Sequence, residues 1–180
     1  MANRVSFCGD HLGLPEIAAQ HRDLESSLTL YFSSNSPNYL VRFATYAPRE
    51  VTDELRGRLD ETDLTSSLTV LASVEAAFRI DYLQRCYRRG KDSVSRAFRD
   101  IYKIKKQHTS LEDEILEVWV RNSSVPRPII GELRGAFTFR HWLAHGRYWT
   151  PKLGRRYDFN DVFALADLTL RSFPSHEFGD

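Results

Sequence analysis

Cysteine is nearly missing from this chain. Cys8 and Cys86 are the only two in 180 residues, too few and too far apart for a disulfide scaffold, so both are expected to be reduced thiols rather than a disulfide or a metal pair. Long apolar runs are missing as well. None approaches the ~18 residues of a membrane span, and the first twenty residues carry Asp10, His11 and Glu16 where a secretory signal would be apolar. The expectation is a cytoplasmic protein with no membrane partner. Glycine and proline number 9 and 7, which excludes collagen-like and low-complexity chains. No stretch alternates apolar and polar residues long enough to suggest a sheet, and no internal repeat is present. Excess charge is also missing: 25 basic against 24 acidic residues leave +1, which excludes a chain that is basic all over.

What is present is 42% apolar and 12% aromatic composition in 20.9 kDa. A chain of this size can bury roughly 70% of its surface on folding. One domain over residues 1–180 is expected, with a core bundle at 64–167 and a less defined helix and loop at 1–50. The charges within it are sorted. Glu50 to Asp63 holds six acidic and two basic residues, Arg79 to Lys106 ten basic and three acidic, and Arg127 to Arg156 seven basic and one acidic. Two basic blocks on one face would suit a polyanion such as RNA; solvated helix faces are the plainer reading.

Boundary residues divide the chain into helices. One runs from Leu14 to Tyr31. A short one starts at Thr52, and Asp63 or Thr65 caps a long one ending near Arg88. Asp92 caps the next, to about Lys106. Ser110 with Asp113 resembles a capping box opening a helix to Arg121. Pro128 suits the first turn of a helix continuing towards Gly146, and Asn160 starts the last. The fold class is therefore all-α, a bundle of about five to seven helices.

Two helices carry charge where the core should be. With 100° per residue and Ile129 at zero, Leu133, Ala136, Leu143 and Ala144 form an apolar arc with Arg140 at about 20°. Along the long helix, Leu64, Leu68, Leu71, Ala72, Tyr82 and Cys86 form a stripe with Glu75 and Arg79 at its centre. A buried carboxylate needs a partner, and Arg140 and Arg79 are the candidates. A structural ion pair and a working site both fit this pattern. Gly131, Gly135, Thr138, Trp142 and His145 form the opposite face of the Arg140 helix, open to close approach by another helix.

The string Arg140-His141-Trp142-Leu143-Ala144-His145-Gly146 resembles the Arg-x4-His signature of the HEPN superfamily; His141 stands where members often have Asn, and Tyr148 follows one residue later than in the His-x-Tyr subtype. The resemblance implies an all-α HEPN-like bundle that cuts RNA without a metal or other cofactor, at a site shared between two subunits. Arg140, His145 and Glu75 take the catalytic positions, with His141, Arg79 and Tyr148 in support. Arg134, Arg147, Arg88 and Arg89 are the candidate RNA contacts. Phosphodiester cleavage by a 2′-hydroxyl needs a base, an acid and positive charge on the phosphorane, which histidine and arginine supply. Arg140 and His145 diverge by about 140° on one helix, so a homodimer is expected to complete the groove. A toxin or phage-defence effector, with an antitoxin or other protein partner, falls within this reading. The alternative is a non-catalytic helical dimer that binds RNA or protein. His141 and His145 also have the i, i+4 spacing of zinc ligands, but no metalloprotease glutamate lies between them.

Overall fold

The computed structural model describes residues 4–174, all helix and connecting loops. Helix α1 spans Leu14–Tyr31, α2 Tyr39–Phe43, α3 Pro48–Arg88, α4 Ser93–Lys105, α5 Leu116–Asn122, α6 Arg127–Ala144 and α7 Phe159–Ser172. A π-wound turn, Leu111–Ile115, leads into α5. The 41-residue α3 is the axis against which α1, α4, α6 and α7 pack. No helix among the described residues is long and apolar enough to cross a membrane.

Residues read as a short helix and a separate long one are one helix. Asp63 and Thr65 cap nothing, because the threonines there are used inside α3: the hydroxyls of Thr62, Thr65 and Thr69 donate to the carbonyls of Arg58, Glu61 and Thr65, satisfying themselves on the preceding turn. The start of α3 is fixed further upstream, with Pro48 in the first turn and Glu50 accepting from the Ala47 amide at 2.6 Å. Asp92 does cap α4, accepting from Ser95 N at 2.9 Å. At Ser110 the hydroxyl accepts from Asp113 N, but the carboxylate that returns to the Ser110 amide is Glu114, at 2.8 Å. The π winding moves the returning position on by one residue. Helix α7 starts at Phe159, one residue before the expected Asn160, with Asp158 capping it by accepting from Asp161 N.

The main core gathers Val70, Val74, Phe78 and Tyr82 of α3 with Trp119, Leu133, Ala136, Val162 and Phe98. Phe32, Phe43 and Val51 form a separate small cluster around α2. The buried stripe of α3 therefore runs through Val70, Val74 and Phe78, and Ala72 is exposed. Glu75 and Arg79 sit at the edge of that stripe, about 100° and 140° from Val74, not at its centre. The charges inside it are Asp81 and Arg85, 1% and 5% exposed. Cys86 is a buried thiol whose pKa burial pushes up to about 12, and Cys8 is exposed and free.

Candidate functional site

Helix α6 buries Ile130, Leu133, Ala136, Phe137 and Phe139. On its helical wheel these span an arc centred near Leu133 and Arg140, so the arginine does point along the core-facing line. It lies in the last turns of α6, and its guanidinium emerges into a cleft of about 340 Å³. Glu75, Arg79, Ser110, Glu112, Arg140 and His141 line that cleft. Arg140 Nη2 stands 3.0 Å from Glu75 Oε2, and Arg79 Nε donates to Glu75 Oε1 at 2.8 Å. One carboxylate thus holds two guanidinium groups. Arg79 also donates to the Thr109 carbonyl, while Arg140 Nε is buried with no hydrogen-bond partner among the described residues. An arginine cannot discharge itself by losing a proton, so that N–H remains a donor in want of an acceptor.

His145 follows the last residue of α6 as its C-cap. The Arg147 amide bonds to the Trp142 carbonyl and the Gly146 amide to the Leu143 carbonyl, with Gly146 at φ +80°. This is a Schellman stop, which needs a left-handed residue after the cap and takes glycine there. The Ala144-His145-Gly146 end of the motif is thereby explained as a helix terminator. It turns the exposed His145 ring back to within 4.3 Å of the His141 ring. Trp142 Nε1 donates to the Trp149 carbonyl at 2.7 Å and pins the following loop to α6.

The structure brings together Glu75, Arg79, Arg140 and His141, with His145 beside them. The other candidates lie further out. Arg147 makes a two-pronged ion pair with Glu61 at 2.8 and 3.0 Å, and Arg134 reaches Glu117 at 3.0 Å. Tyr148 is exposed, edge-on to Trp149. Arg88 and Arg89 are exposed at the end of α3, about 20 Å along the helix from Glu75, where Arg89 lines a different cleft with Arg4, Arg99 and Lys103. Of the two basic blocks, Arg79 and Arg140 meet in one cleft while Arg88 and Arg89 lie outside it. Gly135 is not open to another helix either: a Cβ there would meet the Tyr157 hydroxyl at 2.7 Å, whereas Gly131 faces open space.

Glu112, for which the sequence offers no role, and Asp113, expected only as part of a capping box, also line the cleft. Burial pushes the Glu112 carboxyl above its usual range; Asp113 adds to this, and Arg134 and His141 oppose it. A raised native pKa means that the folded state holds the proton longer than the unfolded one, so this group's contribution to stability falls as pH rises above about 4.3. Glu112→Gln is expected to match or exceed the parent in thermal midpoint at pH 7, with the difference shrinking below about pH 4. A variant less stable at pH 7 than at pH 4, relative to the parent, contradicts that expectation.

Comparison of the chain with family models, with curated proteins and with solved structures finds no match.

Proposed function

We propose that the chain is a metal-independent endoribonuclease of HEPN type, cutting RNA at a groove completed by a second copy of itself. The observation that carries this reading is the Glu75-anchored pair of guanidinium groups opening onto His141, whose ring lies against that of His145. Arg140 and Arg79 bind the non-bridging phosphate oxygens, and Glu75 positions both. One histidine accepts the 2′-hydroxyl proton as O2′ bonds to phosphorus. A second acid protonates O5′ as the P–O5′ bond breaks, leaving a 2′,3′-cyclic phosphate and a 5′-hydroxyl. His145 projects beyond the cleft that holds Arg140, so a symmetry-related His145 supplies the opposite face. Tyr148 and Trp149 offer stacking surfaces, and Arg134, Arg147, Arg88 and Arg89 contact flanking RNA. The setting is a toxin or phage-defence effector in the cytoplasm, with an antitoxin or other protein as a further partner.

A second reading, a non-catalytic helical dimer that binds RNA or protein, is favoured by one fact. The charges near the cleft are already partnered: Glu75 takes two arginines, Arg147 takes Glu61, and Glu112 and Asp113 add negative charge to the same wall. Incubating purified protein with RNA in EDTA separates the two. The nuclease is expected to leave cyclic-phosphate ends, and His145→Ala and Arg140→Ala to stop cleavage. Cleavage unchanged in both variants overturns the site, an active monomer overturns the shared groove, and intact RNA bound in a salt-sensitive manner supports the second reading.

A further inference from the structure

A second cluster of ionisable side chains lies towards the other end of α3, about 18 Å along the helix from Glu75. His21 of α1 is 4% exposed, its ring stacked on Phe159 of α7 with centroids 3.7 Å apart. Its Nδ1 is 3.1 Å from the Ser66 hydroxyl. Its Nε2 stands 3.5 Å from Glu25 Oε2 and 3.5 Å from Asp63 Oδ1, hydrogen-bonded to neither. The three donor atoms lie within 4.8 Å of one another. No Lys or Arg pairs with Glu25 or Asp63 among the described residues.

We infer that His21, Glu25 and Asp63 bind one divalent transition-metal ion, best matched by Zn²⁺. In the tautomer whose Nδ1–H is donated to Ser66, the Nε2 lone pair faces two carboxylates, and a cation between the three would satisfy all of them. The spacing suits one. Zn–N and Zn–O bonds of about 2.0–2.2 Å at tetrahedral angles hold donor atoms about 3.4 Å apart, close to both separations at Nε2. One imidazole with two carboxylates is a donor set for a borderline ion rather than for a hard, all-oxygen one. Ser66 holds the ring from behind, as outer partners of ligating histidines do. Glu25 and Asp63 are 44% and 36% exposed, which leaves a route from solvent. Bound there, the ion fastens α1 to α3 beneath the start of α7.

The test uses untagged, EDTA-stripped, full-length protein titrated with ZnCl₂. One ion per chain is expected, with a thermal midpoint raised by about 5 °C or more at a hundredfold excess over Kd. Asp63→Asn and Glu25→Gln should each weaken binding at least tenfold, and His21→Gln should abolish it; if His21→Gln does not fold, the two carboxylate variants decide. His145→Ala, which breaks the other histidine pair, should bind as the parent does. Absence of uptake, uptake unchanged in both carboxylate variants, or uptake lost in His145→Ala overturns the site. None of these outcomes depends on whether the chain cleaves RNA.

Discussion

Arg85→Ala is expected to lower stability by about 3–5 kcal/mol. Arg85 is enclosed in the core stripe of α3, where its Nε donates to both Asp81 oxygens at 3.0 and 2.8 Å. Its Nη1 reaches Asp92 at 3.1 Å and Ser95 at 3.3 Å, and its Nη2 bonds to the Pro174 carbonyl. The guanidinium also lies 5.0 Å from the Trp119 ring centroid. Removing it takes the guanidinium away from Asp81, which is 1% exposed, and frees the end of α7 and the cap of α4 together. A domain of this size holds only about 5–15 kcal/mol in total. Asp81→Ala should cost a similar amount, since it leaves the opposite charge buried. The pair Asp81→Leu with Arg85→Met should cost much less than the sum, because no unpaired charge remains. Urea unfolding followed by far-UV circular dichroism measures all three. A loss under about 1 kcal/mol for either alanine variant, or full additivity in the double, would show that the network is not the brace its geometry suggests.

The same network shows where sequence reasoning stops. Helix ends that rest on local chemistry were legible: Leu14–Tyr31 is placed to the residue, and Asp92 caps α4 as read. The break expected near Asp63 failed because a threonine can serve either as a cap or as a self-satisfied helix residue, and only the neighbouring turn decides. On α3 the choice of stripe was the difficulty. Of the expected stripe Leu71, Tyr82 and Cys86 are buried, but Val70, Val74 and Phe78 are buried as well and shift its centre, placing Glu75 at the margin and Asp81 and Arg85 inward. A sequence with two overlapping periodic stripes does not say which one the other helices cover. On α6 the expected arc holds in part: Leu133 and Ala136 are buried on either side of Arg140, while Ala144 is exposed and Ile130, Phe137 and Phe139 widen the buried side. The Glu75 partnership with Arg79 and Arg140 follows from that charge balance. Glu112 was not legible, because its position in the cleft depends on a π-wound turn that no pattern announces.

His145→Ala and Arg140→Ala are expected to fall together on RNA cleavage and apart on stability. Loss of a general acid or base costs 10²–10⁴ in rate, and loss of a guanidinium that stabilises phosphorane charge about 10²–10³. His145 is exposed, and its backbone rather than its ring makes the Schellman bonds. Its alanine variant should therefore stay within about 0.5 kcal/mol of the parent. Arg140 is one of two partners of Glu75, which is 18% exposed, and is itself 33% exposed. Its removal should cost about 1–2 kcal/mol, an ion-pair hydrogen bond discounted for partial solvent screening. Arg140→Lys keeps the charge but not the planar fork, so it should recover part of the stability and little of the cleavage. Single-turnover cleavage in EDTA and urea midpoints, measured on the same preparations, test the split. If both variants lose activity only in proportion to the fraction unfolded, the cleft is a structural clamp and the histidine a helix cap. If His145→Ala is inactive at full stability, its ring has a role that the Schellman stop does not account for.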